Sequence, residues 1–294
     1  MFVVDIAGLS LSLIHIGVLG VLVGLIAGMF GVGGGFLLVP LLHVFLGVPL
    51  PIAVAAGLCQ TIATAVASLI RYRKFGFAES RFDVLLLGGS MLGVDAGTRL
   101  LLRLSNFGSL ELLGREISVL RVVLTVFYLT LFSIMSGILF FKKLPPAGGP
   151  TVLGPMAKIR FGPTVWLPVV KMRVSALVVT FVGFGNGVLA GMLGIGGGIV
   201  LVPIMLYGFG FDIRKSSGTG IVVVLAVALV GTTKYAYSGT LHLGLAGLLM
   251  VGSAIASQVG ANLTRSLSTN TLRKGLALIL LSTNVTLLIK VFKF

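Results

Sequence analysis

The sequence predicts an all-α polytopic membrane protein made of two homologous halves, and three observations lead to this prediction. Of its 294 residues, 57% are hydrophobic and only 10% are charged, which is typical of chains whose surface faces lipid. Several uncharged runs reach about twenty residues, the length needed to cross the hydrocarbon core. A glycine-rich stretch also occurs twice, as GMFGVGGGFLLVP from Gly28 to Pro40 and as GMLGIGGGIVLVP from Gly191 to Pro203.

The apolar segments repeat in the same order in both halves. The two glycine-rich stretches share nine of thirteen residues at an offset of 163, and the same offset aligns Gly57 with Gly220 and Tyr72 with Tyr235. Each half has four long apolar segments and one of about eleven residues, which covers only half of the hydrocarbon thickness. We therefore predict about eight full spans and two half-length helices, each of which follows a glycine-rich break.

The chain is predicted to divide into three parts. Residues 1–141 form the first half, residues 142–173 form a basic linker rich in proline and glycine, and residues 174–294 form the second half. The first basic residue is Arg71, so the first apolar segment is expected to be a retained helix and not a signal peptide. The linker is expected to be solvated, with a short amphipathic piece between Met156 and Trp166.

The basic residues bear on topology. The net charge is +15, but the basic residues lie mostly at the ends of apolar runs. This placement indicates that they set the orientation of the spans and contact lipid headgroups, and it argues against nucleic-acid binding. If the short segments count as passes, the second half is inverted and fifteen of the 22 Lys and Arg residues share one side. If the short segments are re-entrant and do not cross the membrane, the halves are parallel, and thirteen of the Lys and Arg residues share one side. The positive-inside rule favours inversion with both termini outside, and the parallel arrangement stays open.

The glycines of each break predict a binding site for an anion. Glycine adopts backbone conformations that a side chain forbids and lets a ligand approach the main chain. A helix that begins after such a turn presents unpaired N–H groups and the positive end of its dipole. The alternative is that the glycines only permit close helix crossing. The candidate binding glycines are Gly31, Gly33, Gly34 and Gly35 in the first break and Gly194, Gly196, Gly197 and Gly198 in the second.

The pattern GxxGxGGGxxxxP, present twice in a chain with two similar halves, resembles the TauE/SafE family of membrane transporters, the sulfite exporters. The resemblance implies movement of a small sulfur-containing oxyanion such as sulfite, thiosulfate or an organosulfonate. It further implies export across the inner membrane of a prokaryote, driven by an ion gradient. The motif positions are Gly28, Gly31, Gly33, Gly34, Gly35 and Pro40, with Gly191, Gly194, Gly196, Gly197, Gly198 and Pro203.

Polar side chains inside the spans indicate which residues face the substrate, because they are costly in lipid. Valines stand at the equivalent positions of several of these residues in the other half, so the site is expected to be asymmetric. The alternative for the hydroxyl groups is that they bond carbonyl groups of their own helix. The predicted substrate-binding side chains are Gln60, Thr61, Thr64, Asn186, Ser217 and Thr219.

Asp95 lies deep in an apolar span, with Arg99 one turn later. We interpret the two residues either as an i, i+4 salt bridge or as a coupling site at which Asp95 carries a proton. Arg71 and Lys234 lie at the ends of apolar runs and are followed by Tyr72 and Tyr235. We interpret these four residues as anchors at the membrane interface.

The predicted function is secondary transport of a small sulfur oxyanion. No catalytic residue, metal or cofactor is expected, and the single Cys59 excludes an intrachain disulfide and a metal site built on thiolates. The alternative is a passive small-anion channel, with a membrane-embedded enzyme, an assembly subunit or a cation transporter less favoured. The expected partners are the anionic substrate and membrane lipid, without nucleic acid, and a homodimer is left open.

Overall fold

The computed structural model describes residues 3–6, 9–76, 79–112, 115–142 and 153–293. Within these ranges the chain forms ten helices, of which eight are long and apolar enough to cross a membrane. The prediction of eight full spans and two half-length helices is therefore confirmed. The helices are α1 (Leu13–Phe30), α2 (Gly35–Leu46), α3 (Leu50–Lys74), α4 (Ser80–Ser105), α5 (Val119–Phe141), α6 (Ala176–Leu193), α7 (Gly198–Pro203, continued by a π-helical turn over Ile204–Phe209), α8 (Ile213–Tyr237), α9 (Leu243–Ser266) and α10 (Thr269–Lys293).

Three short antiparallel hairpins accompany the helices. The third begins in the linker and ends in the second half, and its residues Leu167, Met172 and Val174 are buried. Most of the described linker residues are exposed, in agreement with the expectation of a solvated linker, while the hairpin packs one face on the rest of the protein. Residues 143–152 lie outside the described ranges. The expected amphipathic piece between Met156 and Trp166 contains a single 3₁₀ turn, Met156–Lys158, and the first residues of a strand that starts at Thr164. The paired strands are β1 (Val3–Ile6) with β2 (Leu9–Ser12), β3 (Ser109–Leu112) with β4 (Arg115–Ser118), and β5 (Thr164–Leu167) with β6 (Met172–Ser175).

Glycine faces allow helices from different halves to pack closely. Helix α1 packs along α9 of the second half, and α6 packs along α4 of the first. The two contacts are equivalent, because the glycines and their partners in one are related to those in the other by the 163-residue offset. Gly20, Gly24 and Gly28 lie against Leu249, Ser253 and Ser257, while Gly183, Gly187 and Gly191 lie against Leu86, Ser90 and Val94.

The two most buried long helices, α3 and α8, run in opposite directions. Leu58 lies against Gly231 in the last third of α8. Ala65, two turns later in α3, packs with Ile221 and Val224 in the first half of α8. Helices α3 and α8 occupy equivalent places in the two halves, so equivalent elements meet in antiparallel fashion at the core.

Replacing Gly24 with alanine tests the packing of α1 on α9. The added Cβ would lie within 2.6 Å of the Ser253 carbonyl oxygen, so the two helices must separate. We expect Gly24→Ala to destabilise the protein by about 1–3 kcal/mol, measured as a lower midpoint of thermal unfolding in detergent.

Gly17→Ala is the matched control, since a Cβ at Gly17 meets nothing within 4 Å. Alanine is also the better helix former, so the midpoint should stay the same or rise slightly. Equal losses for the two variants would contradict the close contact between α1 and α9.

Candidate functional site

Each break is a sharp turn between a long and a short helix. Gly31 ends α1 with a φ of +64°, and Gly194 ends α6 with a φ of +70°. Gly33 and Gly196 follow with φ values of +78° and +67°. Residues with a side chain rarely adopt this left-handed region, which explains why both breaks are glycine-rich.

The two breaks meet at the centre of the bundle. A Cβ at Gly33 would lie 2.9 Å from the Thr61 methyl group, and a Cβ at Gly196 would lie 2.7 Å from the same group. Both positions also face Val224, the α8 residue that the 163-residue offset aligns with Thr61. Thr61 and Val224 stand near the middle of their helices. The structure therefore brings the predicted glycines of both halves to one place, at mid-length of the two central spans.

Buried tyrosines satisfy carbonyl groups that the breaks leave free. Tyr72 donates to the Gly28 carbonyl at 3.2 Å, and Tyr235 donates to the Gly191 carbonyl at 2.8 Å. Both tyrosines are fully buried, so their interpretation as interface anchors was wrong. The missed signal was the offset itself, since it aligns tyrosine with tyrosine and glycine with glycine. In lipid a carbonyl without a partner is costly, and a phenol from the neighbouring helix removes that cost.

The predicted hydroxyl ligands are engaged with backbone groups. Thr61 accepts a hydrogen bond from the Gly35 N–H at 3.1 Å and donates one to the Gly57 carbonyl at 2.8 Å. Ser217 donates to the Phe30 carbonyl at 2.7 Å, at the end of α1. Thr64 donates to the Thr61 carbonyl at 3.1 Å, and Thr219 accepts from the Glu79 N–H at 3.1 Å. Thr61, Ser217 and Thr219 thus link the breaks and neighbouring helices, whereas Thr64 bonds a carbonyl of its own helix, as the alternative interpretation expected.

The two predicted amide side chains differ from the hydroxyl groups. Gln60 lies against Gly34 in the first break, and Asn186 lies against Gly197 in the second. Both are buried, and the oxygen and nitrogen of each carboxamide lack a hydrogen-bond partner among the described residues. A buried amide without partners costs about 1–3 kcal/mol. Each amide can donate two hydrogen bonds, so the pair forms a natural set of ligands for an oxyanion.

Asp95 is held by two cations. Its carboxylate lies 2.8 Å from Arg99, which confirms the predicted i, i+4 salt bridge, and it also pairs with Lys234 of α8. The Asp95 side chain is 30% exposed, and so it is less deeply buried than the sequence suggested. The second partner was missed because it lies far away in sequence. This arrangement favours the salt-bridge interpretation over a proton carrier.

A comparison with protein families gives one match that covers nearly the whole chain. The family described as "Sulfite exporter TauE/SafE" matches residues 16–287, a range that includes both breaks and all ten helices except the first three residues of α1 and the last turns of α10. No curated protein and no solved structure matches the chain.

Thr61→Val tests whether the Thr61 hydroxyl holds the first break. Valine keeps the shape and is the residue found at the equivalent position 224, but it leaves the Gly35 N–H without this acceptor. We expect a loss of about 1–3 kcal/mol, measured as a lower unfolding midpoint in detergent. Thr61→Ser keeps the hydroxyl and should retain most of the stability, whereas equal losses for the two variants would contradict the role of the hydrogen bond.

Proposed function

Because the chain belongs to the sulfite exporter TauE/SafE family, we propose that it is a secondary transporter that exports a small sulfur-containing oxyanion across the inner membrane of a prokaryote. Sulfite, thiosulfate and organosulfonates are the candidate substrates. The observation that carries the proposal is the pair of buried, unpartnered carboxamides, Gln60 and Asn186, each against one of two glycine breaks that touch.

The chemistry of this site suits an oxyanion. Carboxamide N–H groups point at a place where the first turns of α2 and α7 also begin, and helix starts offer further N–H donors. Bound oxygens would give the amides the partners that they lack in the closed structure. The donors are neutral, so they can hold an anion without the strong attraction of a fixed cation. A transporter needs this balance, because the substrate must both bind and leave.

The structure supports alternating access as the transport mechanism. Residues 31–40 and 191–203 are buried throughout, so the site is closed to solvent at both ends. An anion can enter or leave only if the helices around the breaks move apart, first at one end and then at the other. Broken helices that meet at the midplane of two repeats are typical of such transporters.

Transport by purified protein in liposomes is the direct test of the function. Counterflow with sulfite, thiosulfate, an organosulfonate, sulfate and a carboxylate identifies the substrate. A transporter should accumulate at least one sulfur oxyanion against its gradient when an ion gradient is imposed. Flux that never exceeds equilibrium would indicate the channel alternative, and no flux of any sulfur oxyanion would contradict the proposal.

Gln60→Met and Asn186→Leu test the amides. Each change removes donors but roughly keeps the volume, so we expect sulfite counterflow to fall at least tenfold. Each change also removes an unpartnered buried amide, so the unfolding midpoint should stay the same or rise. Normal counterflow in both variants would exclude the amides from the site.

Asn284→Leu is the matched control for a buried amide away from the breaks. Asn284 of α10 donates to Ser133 of α5, so the change should lower stability. Counterflow per folded protein should be unaffected. The control and test variants thus separate loss of binding from loss of folding.

We further propose that the two halves are inverted relative to each other. The antiparallel contact of α3 with α8 supports this, since these helices are equivalent. The positions of basic residues support it as well. Lys215 donates to the Val169 carbonyl in the linker, Arg214 donates to the Leu267 carbonyl after α9, and Arg81 donates to the Trp166 carbonyl. Basic residues from both halves therefore gather with the linker at one end, which we assign to the cytoplasm.

Single cysteines test the inversion. In a Cys59→Ser background, Arg160→Cys in the linker and Ser268→Cys after α9 should react with a membrane-impermeant thiol reagent from the same side. Ser238→Cys, after α8, should react from the opposite side. Parallel halves would instead place positions 160 and 238 together, so labelling of intact cells and of inverted vesicles distinguishes the two arrangements.

A further inference from the structure

The start of α4 holds two buried acids that the sequence did not single out. Glu79 is 2% exposed and Asp83 is 3% exposed, one turn apart. They lie at the end of the molecule where the basic residues gather. Phe82 lies between them in the sequence and packs against Phe209 and Phe211, so three aromatic rings form a cluster beside the start of α4.

The Glu79 carboxylate has a partner. The Val169 N–H in the linker donates to Glu79 Oε2 at 2.7 Å. The Glu79 backbone N–H donates to Thr219 of α8. Glu79 therefore fastens α4 to both the linker and α8.

The Asp83 carboxyl is different, because its Oδ1 atom is buried and has no hydrogen-bond partner in the part of the chain that the structure describes. The charges that act on it are those of Glu79, on its own helix, and Arg73, on α3. On the other packed elements, Lys215 of α8 is bonded to the Val169 carbonyl. Arg81 is bonded to the Trp166 carbonyl, and the Asp212 carboxylate accepts the Arg214 N–H.

An ionised carboxylate in this position is unfavourable for two reasons. Burial without a hydrogen bond costs several kcal/mol for a charged group. The Glu79 carboxylate, one turn away, adds like-charge repulsion. The charge of Arg73 on α3 acts in the opposite direction, but it is the weakest of the three influences. A proton on Asp83 removes both costs, so burial at the start of α4 favours the neutral acid over the carboxylate.

We propose that Asp83 is a proton-binding site of the transport cycle, protonated while the site is closed and deprotonated when the end at which α4 begins opens to water. This inference rests on the proposed transport function and names the coupling ion and its residue. The proton passes between Asp83 Oδ1 and the water at that end. Opening hydrates the carboxyl, which removes the cost of its charge and releases the proton.

Helix α8 links this site to the first break. Thr219 receives the Glu79 N–H, and Ser217, two residues earlier, holds the Phe30 carbonyl at the end of α1. A shift of α4 relative to α8 at Thr219 would therefore be transmitted along α8 to the turn at Gly31. The other half lacks the acids, since the offset aligns Glu79 with His242 and Asp83 with Ala246. The proposed proton-binding acid is therefore present in the first half only.

Infrared difference spectra between acidic and alkaline pH test the proton site without any transport. The wild-type protein should show the carbonyl stretch of a protonated carboxylic acid, and Asp83→Asn should lose it. Asp95→Asn is the matched control, because Asp95 lies on the same helix as Asp83 but is paired with Arg99 and with Lys234 of α8, and this variant should keep the band. A band that persists in Asp83→Asn would overturn the proposal.

Sulfite transport in liposomes supplies the second measurement. Wild-type protein should accumulate sulfite in response to a pH gradient. Asp83→Asn should keep sulfite counterflow, but its accumulation of sulfite under the same pH gradient should be at least tenfold lower. Gradient-driven accumulation that is unchanged in this variant would overturn the coupling role. If wild-type protein moves no sulfur oxyanion, the transport proposal fails, and the infrared band still decides whether Asp83 binds a proton.

Discussion

The whole arrangement depends on one constraint, which is that two helices are broken where lipid offers no hydrogen bonds. A break frees carbonyl groups on the helix that ends and N–H groups on the helix that begins. Tyr72 and Tyr235 take carbonyl groups of the helices that end, and Thr61 takes an N–H group of α2. The surrounding spans must therefore be placed so that these side chains reach the breaks.

The constraint also explains why the halves interlock. Helix α1 packs on α9 and α6 packs on α4, so each broken helix is supported by a span of the other half. Glycine lets these backbones approach closely. Each break depends on the other half, because the carbonyl of Phe30 in the first is held by Ser217 of the second half, and Gly196 in the second packs against Thr61 of the first half. The proposed binding place is thus a property of the pair of halves and not of either one.

The repeat, the spans and the glycine breaks were predictable because they are periodic or local in sequence. The roles of individual polar residues were harder to predict from the sequence. The pairing of Lys234 with Asp95 joins α8 to α4, and no local pattern indicates it. Asp83 follows a run of basic residues and looks like part of a solvated turn. The linker hairpin and the π-helical turn after α7 pack against the residues beside it, with Val169 bonded to Glu79 and Phe209 packed on Phe82, and neither feature has a sequence signal.

The asymmetry of the site bears on what sets the direction of transport. The breaks are repeated, but their amides come from non-equivalent helices, since Gln60 aligns with Val223 and Asn186 with Val23. An anion would therefore meet different partners on its way to each end. Such a difference changes affinities and rates at the two faces, but a ligand site alone cannot drive net accumulation. Direction must come from a second ligand whose binding differs between the two open states. We propose that the buried acid at the start of α4, present in one half only, provides such a difference.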